Sequence, residues 1–103
     1  MRKSLFVIVA LNAFLSTNQV FADDVDAFVE ACLSSSNIDR PICECTAQKA
    51  KRELSPKGFD FVIATLRRDD RVTAKLRTEM TIQEMTQAGT FMTRGPAQCA
   101  KGS

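Results

Sequence analysis

Four cysteines in a short chain constrain the fold more than any other feature of this sequence. They are Cys32, Cys43, Cys45 and Cys99, in a chain of 103 residues. An even number of cysteines in a small exported domain predicts a framework of disulfides. Such a domain buries too small a core to be comfortably stable alone, and each bridge would add about 2–4 kcal/mol. Disulfides form in an oxidising compartment. The N-terminus indicates whether the chain is exported to one.

The N-terminus has the three-part order of a secretory signal peptide. Arg2 and Lys3 form a positive start, residues 5–15 are almost wholly apolar, and Val20-Phe21-Ala22 forms a cleavage site. The apolar run is too short for a membrane anchor, because crossing a bilayer takes roughly 20 residues. The sequence therefore predicts a signal peptide at 1–22 that is cleaved after Ala22. Residues 23–103 would form a single helical domain in the periplasm or outside the cell.

The cysteine spacing leaves two disulfide patterns open. A bridge between Cys43 and Cys45 is disfavoured because the loop is too tight. These two residues lie about 200° apart around a helix, so one can meet Cys32 and the other Cys99. We slightly favour Cys32–Cys45 with Cys43–Cys99 over Cys32–Cys43 with Cys45–Cys99.

Apolar residues recur at helical spacing and predict an all-α fold, a small disulfide-stapled bundle of four to five short helices. Helix starts are predicted at Asp23-Asp24, Asp39-Arg40-Pro41 and Ser55-Pro56. The predicted inner faces of the first three helices are Val25, Phe28, Val29, Cys32 and Leu33, then Cys43, Ala47, Ala50 and Leu54, then Phe59, Val62, Ile63 and Leu66. Phe61 adds a second apolar side, so the third helix should be the most buried.

The C-terminal third predicts a short fourth helix and a fifth. The predicted inner faces are Val72, Leu76 and Met80, then Ile82, Met85, Gly89 and Met92. Thr81-Ile82-Gln83-Glu84 matches a capping box at the start of the fifth helix. Arg94-Gly95-Pro96 is predicted to end that helix and to lead to Cys99.

Charge is balanced overall but unevenly distributed. Cleavage would leave 14 − 2 = 12 basic against 12 acidic residues, so nucleic acid and anionic membrane are not expected partners. The middle of the chain is basic, which favours solvated helix faces that partly neutralise the acidic N-terminal part on packing. The alternative is a basic surface for an acidic protein partner. Its candidate residues are Lys49, Lys51, Arg52, Arg67, Arg68 and Arg71. Charge reversal of Arg67 and Arg68 is expected to weaken the binding of such a partner.

The sequence offers little catalytic chemistry. It contains no histidine, and its four glycines are scattered, which disfavours His-based catalysis, imidazole metal ligands and a phosphate-binding loop. We predict no enzymatic activity, catalytic residue, metal or cofactor. The alternative is thiol-disulfide exchange or metal handling at Cys43-Glu44-Cys45. Met80, Met85 and Met92 suit core packing better than copper ligation.

A helix with one cysteine, a second helix with C-x-C and a late cysteine together resemble small periplasmic proteins of bacteria. Exported helical acid-stress chaperones are similar in size and in having a disulfide. They carry one bridge and lack the C-x-C found at Cys43 and Cys45, so their function is not transferred to this chain. The favoured hypothesis is a protein-binding accessory, inhibitor or immunity-type module.

Overall fold

The computed structural model describes residues 24–102, most of which are helical. The helices are α1 at residues 24–35, α2 at Arg40–Glu53, α3 at Pro56–Leu66, α4 at Asp70–Glu79 and α5 at Ile82–Gly102. No strand occurs in this part of the chain, and two disulfides cross-link it. The structure confirms the all-α, disulfide-stapled bundle, with five helices in the described range. The predicted signal peptide lies outside the described residues.

Two predicted helix starts are confirmed with their side-chain caps. The Ser55 hydroxyl accepts a hydrogen bond from the Gly58 N–H at 3.0 Å, and Pro56 opens α3. Thr81 and Glu84 form the predicted capping box before α5, since each side chain accepts from the other residue's backbone N–H at 3.0 Å. These bonds satisfy N–H groups that a helix start leaves without partners.

Phe28 lies at the centre of the core. Its side chain is 1% exposed, and its ring centroid lies 5.5 Å from that of Phe59 and 6.5 Å from that of Phe91. Fully buried Ala47 and Ala50 on α2 complete the packing with side chains small enough for close helix approach. As predicted, α3 contributes more buried residues than any other described helix, whereas α4 has none and only partly buries its apolar side.

The predicted inner face of α5 is wrong in part. The buried residues of this helix are Ala88, Phe91, Gly95 and Cys99. Ile82, in contrast, is 86% exposed and Met92 is 36% exposed. The prediction placed the larger apolar side chains inside, but the buried face of α5 is the one that carries Cys99 toward α2.

The predicted end of α5 is also wrong. Arg94-Gly95-Pro96 does not break the helix, which continues through Pro96 to Gly102. Proline lacks an N–H and removes one hydrogen bond from the helix. The loss is offset because Gly95 packs directly on Phe91 and Cys99 is anchored by a disulfide beyond the proline.

The disulfides join Cys32 to Cys43 and Cys45 to Cys99, with Cα–Cα distances of 5.8 and 5.9 Å. The favoured pairing, Cys32–Cys45 with Cys43–Cys99, is therefore wrong, and the second pattern forms. Cys43 shares the core-facing stripe of α2 with Ala47, and Cys32 lies on the core-facing stripe of α1. The two stripes meet in the core, whereas Cys45 points away from that stripe and meets α5.

Candidate partner-binding groove

The structure distributes the basic residues of the predicted partner-binding surface over several parts of the domain. Lys49 lines a groove between α2 and α5, and its ammonium lies 2.8 Å from a carboxylate oxygen of Glu53. Arg52 and Arg71 are exposed on α2 and α4. These three residues therefore offer separate surface charges, and one of them is already paired.

Lys51 and Arg67 lie beside carboxylates of the domain itself. The Lys51 ammonium is 3.1 Å from an Asp24 oxygen and 5.0 Å from the centroid of the Phe59 ring. Asp24 and Asp60 line one groove with Lys51 and another with Arg67. Burial and the neighbouring Asp24 raise the pKa of Asp60, while Lys51 opposes the rise. Lys51 thus compensates a charge within the fold, whereas Arg67 shares a groove with these carboxylates without an ion pair among the described residues.

An open and mainly apolar groove lies where α1, α2, α3 and α5 meet. We call it the apolar groove, and its volume is about 240 Å³. Its deepest residues are Phe28, Val62 and Phe91, which also belong to the core. More exposed positions along it are Leu66, Met92 and Pro96. The accessible apolar surface of the groove therefore lies at its edge, where it includes the flexible thioether side chain of Met92.

Four hydroxyl groups line the apolar groove, and each donates its hydrogen to a backbone carbonyl three or four residues earlier. The donor–acceptor distances are 2.7 Å for Thr46, 2.8 Å for Thr65, 2.8 Å for Ser36 and 3.4 Å for Ser35. Among the described residues that line this groove, only Arg68 is charged. Within residues 24–102 it forms no ion pair. Its guanidinium is therefore available to an anionic group.

Arg68 has a left-handed backbone, with φ of 57°. Its N–H donates to the Thr65 carbonyl at 3.1 Å, and the N–H of Asp69 donates to the Ala64 carbonyl at 2.9 Å. This pair of bonds is a Schellman motif, which ends many helices and usually places glycine at the left-handed position. A residue with a Cβ costs about 1–2 kcal/mol there, so α3 ends on a strained residue whose side chain lines the apolar groove.

The C-x-C motif is divided between the two disulfides. Cys43 is fully buried and Cys32 and Cys99 nearly so, whereas Cys45 is partly exposed. The two bridges indicate an oxidising, extracytoplasmic environment. Within residues 24–102, no three His, Cys, Asp or Glu side chains are grouped as a metal site.

Sequence reasoning identified Arg68 but not the apolar groove. Met92 was predicted to face the core and Pro96 to end a helix, so neither was considered a surface residue. The position of Cys99 was the missed signal: steps of four residues back from it reach Gly95 and Phe91, the face that is buried.

Comparisons with known proteins give no match to a protein-family model, a curated protein or a solved structure. Among the described helices, none is long and apolar enough to span a membrane.

Proposed function

We propose that this chain is an exported protein-binding module, acting in the periplasm or outside the cell as an accessory, inhibitor or immunity-type protein. Its partner docks in the apolar groove. The observation that carries this proposal is the apolar lining of that groove, where Leu66, Met92 and Pro96 remain accessible to solvent. Beside them lies Arg68, which forms no ion pair within residues 24–102. Apolar anchors that fill such pockets supply most of the binding energy in protein interfaces.

The dimensions of the groove favour an anchor side chain over a small-molecule substrate or cofactor. Its volume of about 240 Å³ is below the roughly 300–1,000 Å³ typical of small-molecule sites. It is also open to solvent along its length rather than enclosed. A side chain presented by a larger partner can use such a site, because contacts around the groove complete the exclusion of water.

The disulfides hold the walls of the groove in place. Cys32 lines the groove and is bonded to Cys43 on α2, while the Cys45–Cys99 bridge holds α5 three residues beyond Pro96. A site that is ordered before binding loses less conformational entropy on association. This arrangement supports recognition by a rigid surface.

The test compares two exposed apolar residues of α5 that differ in position. Tagged Met92→Glu, Ile82→Glu and wild type would each be cross-linked to bound proteins in the host's envelope and medium. The tagged proteins would then be recovered with whatever is attached to them. Both substitutions add a carboxylate to an exposed site, but only Met92 lines the groove. We expect Ile82→Glu to recover the partner as wild type does and Met92→Glu to recover it at least about tenfold less, a loss of about 1.4 kcal/mol.

Equal recovery by Met92→Glu and wild type would contradict docking in the groove. Circular dichroism melts of both variants would establish that any loss arises from the surface and not from unfolding.

A thiol-redox function at the C-x-C is the second candidate, and the partial exposure of Cys45 favours its bridge to Cys99 over the buried one. It predicts that mild reductant opens this bridge while the helices persist. Simultaneous loss of both bridges and of helical structure would count against it.

A further inference from the structure

We propose that the partner segment in the apolar groove is an acidic amphipathic peptide, with one bulky apolar side chain in the groove and a carboxylate on Arg68. This inference rests on the proposed function and specifies the chemistry of the partner. It separates Arg68 from the five other basic residues that the sequence placed in the same surface.

The groove is built for an apolar anchor. Phe28, Val62 and Phe91 give it an apolar base, each less than 5% exposed. Met92 at its edge is unbranched and adjusts to the shape of an entering side chain. Leucine, methionine or phenylalanine from a partner would cover the accessible surface of Leu66, Met92 and Pro96. Removal of this apolar surface from water gives a gain of the kind that drives most association.

The polar groups around the groove select for an acid. The four hydroxyls already donate to carbonyls of the chain, so their hydrogens are not available to a partner. The carbonyls at the end of α3 are likewise occupied, because the N–H groups of Arg68 and Asp69 donate to Thr65 and Ala64. Among the described lining residues, Arg68 supplies the one charged group. Its guanidinium suits a carboxylate, which it can bind through two hydrogen bonds.

The backbone conformation of Arg68 also supports a functional role for its side chain. Glycine would end α3 without the steric cost of a left-handed residue, yet an arginine occupies the position. Non-glycine residues in this conformation are concentrated at functional sites. The side chain is the part of Arg68 that glycine could not replace.

The matched control is Arg67, the preceding residue. It is exposed and basic like Arg68, but it lines a different groove beside Asp24 and Asp60. Arg67→Glu and Arg68→Glu therefore make the same charge change at consecutive residues that line different grooves. A general electrostatic effect would act on both, whereas a contact in the groove would act on Arg68 alone.

The experiment is a selection of displayed peptides against the exported, disulfide-bonded protein. Each peptide carries a central Leu, Met or Phe between randomised positions. Wild type and Arg67→Glu should select Asp or Glu within one helical turn of the apolar residue. Arg68→Glu should select Lys or Arg at those positions, and Met92→Glu should select no apolar peptide.

Affinities for one selected peptide then measure the contact. Arg68→Gln should weaken the acidic peptide about tenfold, equivalent to about 1.4 kcal/mol, and leave its Asp→Asn or Glu→Gln analogue unchanged. This comparison is a double-mutant cycle and removes any general effect of either change.

The outcomes separate the two proposals. If wild type and Arg68→Glu select the same peptides while Met92→Glu selects none, the acidic contact is wrong and docking in the groove stands. Peptides that bind Met92→Glu as well as wild type would overturn both proposals. Recovery of no peptide by wild type would overturn the acidic segment, and the cross-linking comparison of Met92→Glu with Ile82→Glu would then decide the proposed function alone.

Discussion

At the residue scale, Arg68 combines a backbone of high energy with the partner contact that we propose. Its φ of 57° lies in the left-handed region, which L-residues with a Cβ avoid and glycine does not. The sequence indicated Arg68 by its charge, as one of six similar residues. It could not indicate this conformation, because the Schellman motif depends on where α3 ends and on the direction that the chain then takes.

Arg68→Gly is expected to stabilise the domain by about 0.5–1 kcal/mol. Relief of a left-handed cost of about 1–2 kcal/mol exceeds the roughly 0.4–1 kcal/mol of extra unfolded-state entropy that glycine brings. Urea unfolding measures the difference. Arg67→Gly is the control, since Arg67 has a helical φ of −80° and glycine there should destabilise by up to about 1 kcal/mol. Destabilisation by Arg68→Gly would contradict the argument.

Asp60→Asn is expected to stabilise the domain at neutral pH by less than about 1 kcal/mol, because solvent screens this exposed site. Partial burial, then the Asp24 charge, raise the pKa of Asp60 above its ordinary 3.8, so the ionised form costs stability in the folded state. That cost is present above the folded-state pKa and disappears as pH falls through it toward 3.8. Thermal melts at neutral and acidic pH should show the advantage of Asp60→Asn shrinking on acidification. An advantage that grows in acid would reverse the sign we assign.

At the element scale, local signals predicted the helix starts and tertiary contacts decided the rest. Ser55 and the Thr81–Glu84 pair act through bonds to N–H groups three residues away, so sequence alone identifies them. Pro96 is a strong local signal for a helix end, but α5 continues through it because Cys99 is bonded to α2. No local pattern reports a contact 54 residues distant in sequence.

The capping box predicts a pH dependence of opposite sign to that of Asp60. A hydrogen bond from Ser55, followed by the Thr81 N–H, lowers the pKa of Glu84 below its ordinary 4.5. A lowered carboxyl pKa contributes stability above the unfolded-state value, and this contribution is lost as pH falls below 4.5 toward the folded-state pKa. Glu84→Gln should therefore be less stable than wild type at neutral pH and should lose less on acidification. Parallel stability curves for the two proteins would argue against it.

Two glycines of α5 provide a matched test of its inner face. A Cβ at Gly95 would lie 2.8 Å from a ring carbon of buried Phe91, whereas a Cβ at Gly89 would meet nothing within 4 Å. Gly89→Ala should stabilise by about 0.5–1 kcal/mol through helix propensity. Gly95→Ala should destabilise by about 1 kcal/mol, since about 1–3 kcal/mol of overpacking outweighs the same propensity gain. Equal effects in urea unfolding would mean that Gly95 does not face Phe91.

At the scale of the whole molecule, the apolar stripes of the sequence favour the disulfide pairing that forms. Cys43 stands four residues before Ala47 on an apolar stripe, and Cys32 stands four residues after Phe28 on another. Two cysteines on core-facing stripes of neighbouring helices are expected to meet, which favours the pairing that the structure has. The apolar groove could not be predicted in this way, because it forms only where side chains of four helices converge.

The Cys45–Cys99 bridge holds the end of the molecule against the weakness at Pro96. Beyond Gly95, Cys99 is the only buried residue of α5, and Pro96 donates no hydrogen bond to the preceding turn. Cys45 and Cys99 are 54 residues apart in sequence, whereas Cys32 and Cys43 are 11 apart. The longer loop implies a loop-closure contribution to stability of about 4 kcal/mol, and the shorter loop about 3 kcal/mol. Removal of the Cys45–Cys99 bridge should therefore lower the stability of the whole domain and also loosen the end of α5.

Replacing Cys45 and Cys99 together by Ala should lower the free energy of unfolding by about 4 kcal/mol and release residues 97–102 from the folded domain. Hydrogen exchange would report the release as fast exchange of those amides, while α1 to α4 remain protected relative to the variant's own global stability. The control replaces Cys32 and Cys43 by Ala, which leaves the C-terminal anchor intact. It should lower the stability of the whole core without selective loss of protection after Pro96. Full protection of residues 97–102 without the Cys45–Cys99 bridge would show that helix packing alone carries α5 past its proline.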